Sequence, residues 1–263
     1  MAVLAAVLWT ANPASGAGAF DYTACDGGQI STTIWNDGHG DIFSLNKPAG
    51  IDRCEAAGAA GRTWSNNSTY WWGWYFDTNS DNAQTVFQWK SWGTGDQQQQ
   101  NYPVLMKVEG GRLKVWYVAP GETWQSVGTT AWTAGSWHKL ELGITTRSDN
   151  TGSFEVWMDG TKVVGKTGVR TWDDMGNNPR WGTYGTGING VNSHVWIDDL
   201  KLGQSRADVD QGRPCFRSGL RGSPCAVMIT AWGEGTLLRI SGPHWSQCCR
   251  SRCGAGRGWG GGG

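Results

Sequence analysis

Short runs of Trp, Val, Thr, Tyr and Phe, each cut off by Gly, Asn or Asp, recur along this 263-residue chain. Few stretches have the 3.6-residue periodicity of a long helix, so a helical bundle is excluded. Gly accounts for 41 residues and Trp for 19, a composition suited to tight turns between aromatic strands. Strands are predicted at 70–76, 84–89, 104–108, 113–118, 138–144, 154–158, 181–184 and 194–202. Asp159-Gly160 and Gly110-Gly111 supply hairpin turns between them. Antiparallel strands spaced in this way must close into a barrel or pack as two sheets, because an open sheet leaves one apolar face wet. The expected fold is all-β, a jelly-roll sandwich of two antiparallel sheets over residues 20–203.

Both ends differ from this region. Residues 2–9 are apolar and Ala17-Gly18-Ala19 is small, which reads as a secretory signal over 1–19 with a mature start near Phe20. The run is far shorter than the ~20 residues of a membrane span. From 204 to 263 there are eight Arg, no Lys and five of the seven Cys, and this tail reads as disordered or aberrant. Its Cys248-Cys249 and Cys253 lack the second ligand pair of a zinc knuckle. Residues 1–203 hold 14 Lys+Arg against 19 Asp+Glu, net −5, and the tail holds 8 against 3, net +5, so the zero balance is a sum of opposites. Wholesale nucleic-acid binding is disfavoured. Cys25 and Cys54 are expected to form one disulfide in an oxidising compartment. Asn66-Asn67-Ser68-Thr69 holds two overlapping glycosylation sequons. A secreted, extracellular monomer without nucleic-acid or membrane partners is expected.

Alternation separates the faces of each strand. In 84–90, Phe87 and Trp89 share one face and Gln88 and Lys90 the other; in 180–184, Arg180 and Tyr184 flank Gly182. Polar tips beside a glycine suit an open groove in which Gly leaves room for a ligand. Sugars need aromatic platforms beside hydrogen-bonding groups, and Trp72 and Trp74 are candidate platforms. Glu155 and Asp159 lack the close spacing of a glycosidase carboxylate pair. β-Elimination from a uronic acid needs instead donors that neutralise the sugar carboxylate, and a His or Tyr to move protons. Gln88, Lys90, Arg180 and Tyr184 form such a set, provided that they converge on one trough.

Arg62-Thr63, Trp72-Gly73-Trp74-Tyr75-Phe76, Thr85 to Lys90, Trp181-Gly182-Thr183-Tyr184 and Val195 to Leu200 occur in an order that resembles the jelly-roll polysaccharide lyases, which include glucuronan lyase and heparin lyase I. The resemblance implies a concanavalin-like sandwich and a secreted endolyase acting on an anionic polysaccharide. It implies that Gln88 contacts the uronate and that Tyr184 transfers protons. Arg62 matches an Arg-Thr position, with Trp64 where an acid is often found. His39 is the first candidate for the base and His194 the reserve, whereas His138, on a face with Leu140 and Leu142, reads as structural. If neither reaches the site, Tyr184 serves as both base and acid. No organic cofactor is implied; structural calcium at Asp198, beside Asp199, is. The rival readings are a glycan-binding lectin of the same fold and a glycoside hydrolase acting on neutral glucan.

Overall fold

A computed structural model describes residues 20–35, 40–59, 61–92 and 100–210. The signal expected over 1–19, His39, and the tail from 211 lie outside the described residues. In chain order the strands are β1 (Tyr22–Cys25), β2 (Gln29–Trp35), β3 (Gly40–Lys47), β4 (Arg53–Ala57), β5 (Thr69–Thr78), β6 (Gln84–Ser91) and β7 (Val104–Val108). There follow β8 (Arg112–Ala119), β9 (Thr123–Ala131), β10 (His138–Thr145), β11 (Gly152–Met158), β12 (Thr161–Val169), β13 (Asn177–Tyr184) and β14 (Ser193–Gly203). They form two seven-stranded sheets of order β1-β4-β13-β6-β7-β8-β9 and β12-β11-β10-β5-β14-β3-β2. Among the described residues the strand pairings are antiparallel, as in Cys25 opposite Cys54 and Trp74 opposite Leu140. The all-β sandwich expected from the strand pattern is the fold. The β11–β12 turn has Asp159 and Gly160 both at positive φ, 49° and 77°, the geometry for which Asp-Gly is suited.

The sheets meet over a layer of aromatic rings. Trp74 stacks on Phe87 at 5.3 Å, Phe87 meets Trp181 at 5.6 Å, and Trp72 meets Trp89 at 5.4 Å. Each such ring buries ~150–250 Å², so these contacts dominate the core. Trp72 and Trp74 are therefore not sugar platforms: both are fully buried. β5 lies inside its sheet, with Trp72, Trp74 and Phe76 turned to the core. Its opposite face is covered too. A short helix, α1 (Arg206–Val209), places Val209 against Gly73, where an added Cβ would lie 2.8 Å from the Val209 carbonyl oxygen. The sandwich thus reaches Asp210, past the boundary expected at 203. Arg206 holds α1 down by donating to the buried Glu141 at 2.8 Å while its guanidinium sits 3.7 Å over the Trp157 ring.

Two features fix the ends of β4 and β13. Cys25 and Cys54 are joined by a disulfide between directly paired positions of β1 and β4. With a sequence separation of 29, the cross-link contributes roughly 3–4 kcal/mol on loop-entropy grounds. At the end of β3, the fully buried Lys47 ammonium donates to the carbonyls of Pro48, Ile51, Ile188 and Val191 at 3.0, 2.8, 2.8 and 3.0 Å. This clamp ties the segment before β4 to the turn after β13. Asn189 Nδ2 to Asp52 at 2.6 Å and Gly50 N to the Asn189 carbonyl at 2.7 Å reinforce it.

Candidate active site

The outer face of the β4–β13–β6–β7–β8 sheet carries the polar residues that alternate with the core rings. Two rows cross it. One runs Arg180, Gln88, Leu105, Trp116, and the other Arg53, Tyr184, Thr85, Lys107, Lys114, each residue paired with the next. An open groove of about 970 Å³ lies over these rows, lined by Gln88, Tyr184, Tyr102, Lys107, Trp116 and Trp124 among others. Gln88 and Tyr184 thus share one trough. Tyr184 is 42% exposed at its edge, whereas Gln88, at 3%, forms its floor rather than an open surface.

Gln88 is held there by a carboxylate that the strand pattern did not single out. Its amide donates to Glu55 Oε1 at 2.6 Å, leaving the second amide proton for a ligand. Glu55 is itself 1% exposed, its Oε2 has no hydrogen-bond partner among the described residues, and Arg180 Nη1 lies 4.0 Å from it. Burial pushes the Glu55 carboxyl above the usual range, opposed by the Gln88 hydrogen bond and by Arg180, Arg53 and Lys90. Arg53, paired to Asp26 at 2.9 Å, stands opposite Tyr184. Arg53 and Glu55 flank Cys54 in an Arg-x-acid pattern, the sequence signal that would have found them.

Lys90 completes the cationic wall, donating to Asn101 Oδ1. Desolvation first, and then Arg180, lower its pKa to about 8. Because the folded value lies below the ordinary 10.5, Lys90 sheds its proton on crossing pH 8 in the free protein, and anion binding that relies on it weakens above that point. Affinity for an anionic oligosaccharide is expected to fall between pH 7 and pH 9, and Lys90→Arg to remove that fall; calorimetric titration at the two pH values checks this.

Gly182, between Arg180 and Tyr184, does not make room for a ligand. Its φ is 150°, and a Cβ there would lie 2.3 Å from the Cys54 carbonyl oxygen, so the glycine lets β13 approach β4. The aromatic platform of the groove is also elsewhere. Trp124, 40% exposed, meets Tyr102 at 5.4 Å and Trp116 at 5.8 Å. Tyr102 is fixed by donating to Glu122.

Other expected site residues lie apart. Arg62 lines a separate depression of about 430 Å³ with Trp64, Tyr70, Trp71 and Gln204, which includes none of the groove residues. His194 is on the second sheet, paired to Asn46 and stacked on Trp196 at 5.9 Å, and is not the base of this groove. His138 packs at 4.5 Å on Trp132 and bonds Asp159 at 2.7 Å, a structural arrangement. Glu155 and Asp159 belong to β11 and its turn on the second sheet. Asp198 does not fit a calcium cradle. Its carboxylate accepts the Asp199 N–H at 2.6 Å, and Asp199 is paired to Lys201 at 2.9 Å, where the ammonium would repel a cation. Among the described residues no three His, Cys, Asp or Glu gather as metal ligands.

A family model described as Polysaccharide lyase matches residues 25–201, which spans the whole groove. The chain belongs to the polysaccharide lyase family. It is therefore an enzyme, and the lectin and glycoside hydrolase readings give way to a lyase acting on a polysaccharide. No curated protein matches this lyase by sequence. Among solved structures, the endo-β-1,4-glucuronan lyase from the fungus Trichoderma reesei is similar with a TM-score of 0.61 at 21% identity, over 76% of this chain and 97% of that one. The alginate lyase vAL-1 from Chlorella virus gives 0.49 at 12% identity, over 74% and 100%. The first of these likenesses supports the same sandwich.

Proposed function

We propose that this lyase is secreted and cleaves a uronate-containing polysaccharide of the glucuronan type, within the chain, by β-elimination and without an organic cofactor. The observation that carries the reading is that Gln88 and Tyr184 line one groove while the cations Arg180, Arg53 and Lys90 gather around the Glu55 carboxylate that holds Gln88. These three cations supply local positive potential in a region whose net charge is −5. The solved lyase with the 0.61 score is named for glucuronan, which makes that polymer the first substrate to try.

In this reading the uronate carboxylate lies against Arg180, Lys90 and the second amide proton of Gln88. Its neutralisation makes the C5 proton acidic and stabilises the enolate-like charge as it builds. Tyr184 removes the C5 proton; the freed electron pair forms the C4–C5 double bond as the C4–O4 bond breaks, and the departing O4 takes a proton from Tyr184. Glu55 is a positioning residue that orients Gln88 and Arg180 without touching the sugar. Export is supported by the Cys25–Cys54 disulfide, by the apolar start of the chain, and by exposed Asn67 in the sequon turn.

The test is incubation with glucuronan, alginate and heparin while following the ultraviolet absorbance of the new double bond. A rise with glucuronan is expected. Absence of a rise with every uronan, under conditions where the protein is folded, would reject elimination from a uronate.

A further inference from the structure

Lys107 is a half-buried ammonium for which no carboxylate lies within ion-pair distance among the described residues. Its Nζ sits 4.8 Å over the Trp124 ring, and desolvation lowers its pKa. Glu109, which acts on it at longer range, is committed to Lys114 at 2.6 Å. A cation that gives up hydration without a protein counter-charge is placed for an anion supplied from outside. The ring beneath it is the most exposed tryptophan of the groove, buttressed by Tyr102 and Trp116. An aromatic face with a cation at its edge matches one ring of a uronic acid: the apolar C–H face stacks while the carboxylate meets the ammonium.

The spacing relates this place to Tyr184. Tyr184 pairs with Thr85, and Thr85 with Lys107, so Lys107 lies two strands across the same face. At ~4.8 Å per strand this is roughly 10 Å, about the length of a disaccharide along an extended polyuronate. We infer that Lys107 and Trp124 form a second uronate-binding subsite, which reads the carboxylate of a sugar about two residues from the scissile bond. This rests on the uronan reading of the groove and extends it. A polymer with uronates on both sides of the cut engages Lys107, whereas one with a neutral sugar at that position leaves the ammonium desolvated and unpaired.

Calorimetric titration with glucuronan oligosaccharides and with their carboxyl-reduced counterparts tests the subsite, using the Tyr184→Phe protein so that cleavage is slow on the timescale of the titration. Lys107→Met, which keeps the aliphatic stem over Trp124, is expected to weaken the charged ligand about tenfold and the reduced ligand hardly at all. Lys107→Arg is expected to restore binding, and Trp124→Ala to weaken both ligands, because stacking is blind to charge. Unchanged affinity of Lys107→Met for the charged oligosaccharide, or an equal loss with both ligands, would overturn the inference. The readout is binding, so failure of the wild-type protein to produce absorbance with any uronan rejects the elimination reading separately.

Discussion

Replacing Tyr184 by Phe is expected to lower kcat on the polysaccharide by about 10²–10⁴-fold, the usual contribution of a positioned acid–base group. KM should change little, because the ring stays in place and the cations that bind the sugar acid are untouched. Stability should also hold. Tyr184 is 42% exposed, and among the described residues its hydroxyl makes no hydrogen bond, so deleting it orphans nothing. The measurements are initial rates of double-bond absorbance, with the thermal midpoint of the variant as a control. A variant that retains more than a tenth of the wild-type kcat would remove Tyr184 from proton transfer. Full activity would also mean that the base lies outside the described groove, with His39 the residue to replace next.

The largest expected stability effect belongs to Lys47→Met. Methionine fits the volume but leaves four inward-facing carbonyls without the ammonium to which they point. Breaking a buried charge arrangement on one side typically costs ~3–5 kcal/mol, which for a domain of this size lowers the thermal midpoint on the order of 10 °C. Because Ile188 and Val191 lie just past Tyr184 and the Gly185–Gly187 edge of the groove, activity should fall before unfolding begins. Thermal unfolding by circular dichroism, with rates taken well below the midpoint, checks both. A midpoint within about 2 °C of wild type would show that the clamp is not needed for stability.

The strands most legible in the sequence were those in which Trp, Val, Phe and Thr alternate with polar residues: β6, β7 and β8 appear within a residue or two of where 84–89, 104–108 and 113–118 placed them. β4 was illegible. Arg-Cys-Glu-Ala-Ala has no aromatic or β-branched residue, and it is a strand because it pairs with β13 and β1. With it went Arg53, one of the wall's three cations, and Glu55, the carboxylate that holds Gln88. β9 failed likewise, its Trp124 standing among Gln, Ser and Thr. The opposite error befell Trp72 and Trp74. In 70–76 aromatic residues occupy both faces, and nothing local says that one face meets Phe87 and Trp89 while the other is capped by Val209. Gln88, Lys90, Arg180 and Tyr184 were legible as one sheet face because alternation alone puts them opposite the core rings. Arg62 was misplaced by a dipeptide match that carried no information about which sheet it adjoins.

Gly182 also sets how this enzyme can be altered. Any side chain there must drive β13 away from the Cys54 carbonyl, carrying Arg180 and Tyr184 with it, and the adjacent Cys25–Cys54 cross-link gives β4 no slack to follow. The β4–β13 wall is therefore a rigid jaw, intolerant of mutation even at its smallest residue. Across the trough, Leu105, Trp116 and Trp124 stand on strands with no such covalent anchor. Libraries aimed at new polymers belong on that side, where side chains can be exchanged without shifting the reacting groups.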